Sequence, residues 1–125
     1  MIVEKLVTVK VKGIDVSYKE KTMYHDGKEV YNRDIEQEND FICYNEYKRI
    51  VGLLTTYQVK SIREQLKLNQ KQFSEVLGLG EITIHRIEKG SIQSKAVDNL
   101  IRMYAKEKCV EITIKKVEKW LTYNC

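Results

Sequence analysis

The stretch LNQKQFSEVLGLGEITIHRIEKG, Leu68 to Gly90, decides the fold. Asn69 is placed to cap a short helix on which Phe73, Val76 and Leu77 face inward. Gly78-Leu79-Gly80 turns the chain. A second short helix is predicted from Glu81 to Lys89, stopped by Gly90. At about 100° per residue, Ile84 and Ile87 point to one side, while Ile82, His85, Arg86 and Lys89 form a stripe on the other. A helix this short is unstable alone, so its apolar side must dock on neighbouring helices. The stripe must then project from the domain.

The flanks extend the pattern. Thr55 or Thr56 caps a helix running to about Lys67, with Val59, Ile62 and Leu66 on its inner face. A further helix starts near Ser94, with Val97, Leu100, Ile101 and Tyr104 at core spacing. Residues 53–108 thus read as a compact orthogonal bundle of short helices. Upstream, Phe41, Tyr44, Tyr47 and Val51 mark a linking helix over residues 34–52. Asp34 and Asn39 are its candidate caps, Gly52 its stop, and Asp34, Glu36, Glu38 and Asp40 an acidic start favoured by the helix dipole.

Residues 1–33 alternate with period two: Val7, Val9 and Val11, then Ile14, Val16 and Tyr18. Lys12-Gly13 and His25-Asp26-Gly27-Lys28 are turn signals, followed by a short strand at Glu29 to Tyr31. In the tail, 109–125, Val110, Ile112 and Ile114 alternate like a strand, whereas Val117, Trp120 and Leu121 keep helix spacing. The fold class is α+β: a small antiparallel hairpin or sheet, a linking helix, and a four- to five-helix bundle.

Hydrophobic residues make up 42% of the 125, enough for a core. No apolar run approaches the ~18 residues that would span a bilayer, and no secretory leader opens the chain, so a cytoplasmic protein with no membrane contact is expected. Cys43, Cys109 and Cys125 are odd in number and form no C-x-x-C pair. Reduced thiols are expected, with neither a disulfide framework nor a zinc site. His25 has no companion metal ligands nearby. Nothing resembles a nucleophile–base arrangement, a phosphate loop or a metal cluster. The reading is therefore not an enzyme, with no catalytic residue and no cofactor.

The net charge of +4 is unevenly spread. Asp26 to Glu46 holds seven acidic and two basic residues, whereas Thr55 to Lys108 holds ten basic and six acidic. A polyanion partner suits the second segment.

Leu68, Asn69, Gln70, Phe73, Leu77, Gly78, Leu79, Thr83, Ile84, Arg86, Ile87, Glu88 and Gly90 together resemble the helix-turn-helix of the Xre and Cro repressor superfamily. Gly80 then stands where a Ser or Thr cap is usual, which glycine replaces at small cost. The resemblance also implies a half-buried, structural ion pair between Arg63 and Glu88. Residues 29–93 are further similar to the MqsA-type antitoxins, in which a zinc-binding domain precedes such a motif. The two C-x-x-C pairs of that family are missing here, with Tyr24-His25-Asp26-Gly27 in place of one, so its metal does not carry over.

The resemblance implies that the stripe enters the major groove of double-stranded DNA. Arg86 would read guanine, Ile82 would touch a thymine methyl, Glu81 would accept from cytosine N4, and His85 would donate to a base or phosphate. Gln70, Lys71, Lys89, Ser91 and Lys95 would hold phosphates and set the register. Specific binding by so small a unit usually takes two copies on a palindromic operator, so a homodimer is expected. Its interface would draw on Tyr104 of the last bundle helix and on Trp120 and Leu121 of the tail, or the tail would simply pack on its own domain. The leading reading is an autoregulatory repressor of antitoxin type. The alternative is an inhibitor that neutralises a toxin or another enzyme through residues of the N-terminal region, with DNA binding secondary.

Overall fold

The computed structural model describes residues 1–112. The chain divides into two compact units, Met1–Gly52 and a second beginning at Leu53. Among the described residues the architecture is α+β, three antiparallel strands followed by five helices.

In the first unit, β1 (Ile2–Val11), β2 (Ile14–His25) and β3 (Lys28–Val30) form a sheet in that order. Both hairpins close through two residues with positive φ: Lys12 (49°) with Gly13 (82°), and Asp26 (52°) with Gly27 (76°). Such pairs match the right-handed twist of the strands they join. They fix the register, with Val11 opposite Ile14 and His25 opposite Lys28. β3 lies one residue earlier than the alternation suggests.

Helix α1 (Arg33–Val51) packs on β2. Its cap is Asn32, whose side chain accepts from the Ile35 N–H, and neither Asp34 nor Asn39 caps it. Asp34 sits in the first turn instead, where the dipole favours it. Asn39 is buried and does the work of a strand: its oxygen accepts from the Lys21 N–H and its amide donates to the Lys21 carbonyl, both at 2.9 Å. An exposed stretch of the β2 edge is thereby satisfied. The apolar spacing finds only part of the inward face. Tyr47 is buried, but Phe41, Tyr44 and Val51 are half-buried, and Cys43, Asn45 and Lys48 fill the rest.

The second unit contains α2 (Thr56–Gln65), α3 (Gln70–Val76), α4 (Thr83–Glu88) and α5 (Lys95–Glu107). Thr55 and Asn69 cap α2 and α3 through reciprocal bonds with Gln58 and Gln72, two full capping boxes, and Ser94 caps α5. All four helices end alike. The residue after each C-cap (Lys67, Gly78, Gly90, Cys109) has positive φ, and the next N–H reaches back to a carbonyl five residues earlier. This Schellman closure satisfies carbonyls that a helix end would otherwise leave bare, and it turns the chain within two residues.

The core of this unit comprises Leu54, Val59, Ile62, Phe73, Leu77, Ile84, Ile87, Ile101, Ala105, Val110 and Ile112, with Leu66, Val97 and Tyr104 packed against it. Two expected core residues lie outside: Val76 is 48% exposed and Leu100 36%. Ser74 takes the inward place on α3. The start of the tail packs on its own unit, since Val110 and Ile112 are buried and the Glu111 carbonyl accepts from Gln65. Cys109 is disulfide-bonded, a correction to the expectation of reduced thiols, whereas Cys43 is free and buried. Compartment statistics speak only to the average cysteine and could not anticipate this one. Ile114, Val117, Trp120 and Leu121 lie outside the described residues.

Candidate nucleic-acid interface

The corner between α3 and α4 is built from short-range bonds. Gly78, at φ 73°, directs the Leu79 N–H to the Ser74 carbonyl at 2.9 Å. The buried Ser74 hydroxyl then accepts from the Ile84 N–H at 3.1 Å. One residue thus closes α3 with its backbone and holds the first turn of α4 with its side chain. Ile84 and Ile87 anchor α4 in the core, and Thr56 donates to the Ile87 carbonyl at 3.2 Å.

Helix α4 is shorter than predicted. It begins at Thr83, with Ile82 at the cap position and no side-chain capping bond. Gly80 is therefore not its cap, although its carbonyl accepts from the Thr83 N–H at 3.0 Å. Glu81 lies in the turn before the helix. The short loop tightens here and uses residues that periodicity alone assigns to the helix.

The stripe projects as the docking argument requires. Ile82, His85, Arg86 and Lys89 are all exposed, Ile82 at 49%. Glu81, Lys71, Ser91 and Lys95 are exposed too. Lys71 and Glu81 approach each other at 3.8 Å across open solvent, so two residues given separate roles form a loose pair.

Arg63 and Glu88 form the ion pair that the resemblance implied. The guanidinium donates through Nε at 2.6 Å and Nη2 at 3.0 Å to the two carboxylate oxygens, and through Nη1 to the Leu68 carbonyl at 3.1 Å. Both side chains are largely buried, and the hydrogen bonds to Glu88 hold the Arg63 charge even more firmly than usual. The pair ties α2 to the end of α4.

Gln70, expected on a phosphate, also makes bonds within the protein. Its amide nitrogen donates to Glu88 Oε1 at 3.0 Å, and its oxygen meets His85 Nδ1 at 3.0 Å. These two contacts use one of the two amide hydrogens and not the backbone N–H. Arg63, Glu88, Gln70 and His85 make one chain of contacts leading from the buried ion pair to the exposed stripe.

Asp98, at the start of α5, is fully buried. It accepts from the Leu54 N–H at 2.8 Å, Gln93 Nε2 at 3.1 Å and Arg102 Nε at 2.8 Å. Its role is to hold α5 to the segment before α2. The only sequence trace is the Asp98/Arg102 spacing of four, which is common on helix surfaces.

The span covering α2 to α5 matches a known family. Residues 59–103 match the family model described as Helix-turn-helix, HTH_3. Comparison with curated proteins and with solved structures gives no significant match. The helix-turn-helix match supports a DNA-binding transcription regulator. It is a regulator family, not typically enzymatic. Among the described residues no helix is long and apolar enough to cross a membrane.

Proposed function

We propose that the protein is a sequence-specific transcriptional repressor that reads the major groove with α4 as a homodimer on a near-palindromic operator. One observation carries this reading. The exposed residues from 82 to 89 are a guanidinium, an imidazole, an ammonium and one isoleucine, gathered on the open side of a helix docked by its other side. Arg86 is the principal base reader, bidentate to guanine O6 and N7. Ile82 contacts a thymine methyl, and Glu81, in the turn leading into α4, selects against misplaced phosphate. Lys71, Lys89, Ser91 and Lys95 hold the backbone.

The antitoxin-type role rests on the likeness of residues 29–93 to that family and on a first unit, Met1–Gly52, that is compact by itself. In that role the protein represses its own operon and binds a toxin through residues before Gly52.

Retardation of DNA from the protein's own upstream region tests the repressor reading. Binding should be sequence-selective and should weaken steeply with salt, because phosphate contacts release counterions. Absence of any DNA retardation at low salt would sink it and leave the protein-binding role as the alternative. Co-purification with the product of the neighbouring gene tests the antitoxin role.

A further inference from the structure

We propose that two copies of this chain associate through the free edge of β1, antiparallel about a two-fold axis at Val7, to form one continuous six-stranded sheet. The pairing does not depend on DNA recognition, but it supplies the second copy that the proposed operator requires.

The hydrogen-bond pattern shows which groups the edge offers. Met1 and Tyr24 exchange N–H···O bonds across β1 and β2 at 2.7 and 2.9 Å. In an antiparallel ladder bonded and non-bonded pairs alternate, so the odd residues of β1 bond to β2 and the even ones face away. Lys21, opposite Glu4, confirms the phase, because its N–H and carbonyl turn away from β1 to Asn39. The outer edge of β1 therefore presents the backbone groups of Ile2, Glu4, Leu6, Thr8 and Lys10. Among the described residues no other element packs along β1 beyond β2. Apolar side chains beside this edge lie open to solvent, Leu6 at 71% and Ile2 at 52%.

The sequence of the strand selects the partner and the register. Self-pairing by even residues requires opposed positions to add to an even number. Pairing centred on Val7 sets Glu4 against Lys10 twice, once on each side of the axis. It sets Val3 against Val11, Val7 against Val7, and Leu6 against Thr8, the β-branched and apolar pairs that stabilise sheets. A two-residue slip toward the start of the strand brings Ile2 against Lys10 and loses both ion pairs. The opposite slip opposes Leu6 to Lys10, loses both Glu4–Lys10 pairs and shortens the overlap, whereas Lys5 faces a valine in either register. Lys10 already donates to Asp15 on its own chain at 2.9 Å, but an ammonium has three donors. On the far side of β2, β3 pairs with Met23 to His25 and Asn39 satisfies Lys21.

Sedimentation of the full chain without DNA separates this proposal from the repressor reading. The wild type is expected to be a dimer. Glu4→Lys and Lys10→Glu each turn two attractive pairs repulsive and should weaken dimerisation about tenfold or more. The double variant E4K/K10E should dimerise again. Mixing the two single variants should yield a heterodimer, because each supplies the charge the other needs. Circular dichroism of each variant confirms that it is folded. A monomeric wild type overturns the proposal, as do single variants that dimerise unchanged. A mixture that forms no heterodimer overturns the register.

Discussion

His85 Nδ1 and the side-chain oxygen of Gln70 lie 3.0 Å apart beside the exposed stripe of α4. Which atom carries the proton follows from the next contact inward. The Glu88 carboxylate can only accept, so the Gln70 amide must turn its NH2 toward Glu88 and its oxygen toward His85. The ring must then donate from Nδ1, which leaves Nε2 of the neutral imidazole as an acceptor. His85 is thus better suited to take a hydrogen bond from cytosine N4 or adenine N6 than to donate one. Long-range proton–nitrogen correlation of the neutral ring in the free protein is expected to show Nδ1 protonated and Nε2 bare. In Gln70→Ala the Nε2-protonated form should gain. A wild-type ring already protonated at Nε2 would contradict the relay.

Arg86 and the lysines make opposite predictions. Arg86→Ala should lower affinity for the preferred site by about 1–3 kcal/mol and relax the choice at one base position, with little loss on random DNA. Lys89→Ala or Lys95→Ala should weaken specific and random binding alike, and each should reduce the salt slope by about 1. Quantitative retardation over a salt series, on a selected site and a scrambled one, distinguishes these behaviours. If Arg86→Ala keeps the full sequence preference, the base reader lies elsewhere.

The ion pair of Arg63 and Glu88 is expected to be a fold determinant. Arg63→Ala leaves the largely buried Glu88 carboxylate with only the Gln70 amide, and leaves the Leu68 carbonyl without the guanidinium. Breaking such a pair from one side typically costs about 3–5 kcal/mol. Arg63→Lys should recover only part of this, since a single ammonium cannot reproduce the fork to both oxygens and to Leu68. Urea unfolding of the full chain measures both. Equal stability of Arg63→Lys and wild type would mean that charge, not geometry, holds the contact.

Much of this was legible from residues whose chemistry acts locally. Asn69 with Gln72, Thr55 with Gln58, and the glycines at 13, 27, 52, 78 and 90 act within a few residues, so their signals survive in the sequence. The α4 stripe was legible because period and docking leave one solution for so short a helix. Side chains that answer distant backbone were not. Asn39 looks like a helix cap until Lys21, eighteen residues away, is brought beside it. Ser74 and Asp98 look like surface residues until Ile84 and Leu54 arrive with bare N–H groups. Gln70 reads as a surface amide until Glu88 and His85 meet its two ends. In each case a polar side chain takes its role from a partner that only the tertiary fold supplies.

Ser74 gives the sharpest test of how the two helices of the motif are held. Its hydroxyl is the side-chain acceptor for the Ile84 N–H, and both residues are fully buried. Ser74→Ala removes that acceptor with almost no change in volume, so water cannot readily take its place. A buried donor left without a partner costs about 1–3 kcal/mol. The loss should concentrate at the first turn of α4, where Ile82 supplies no side-chain cap to compensate. Amide exchange at Ile84 is therefore expected to accelerate more than exchange in α5, and DNA affinity to fall, although Ser74 itself is buried away from any ligand. An Ile84 amide as protected in Ser74→Ala as in the wild type would show that packing of Ile84 and Ile87 alone positions the helix.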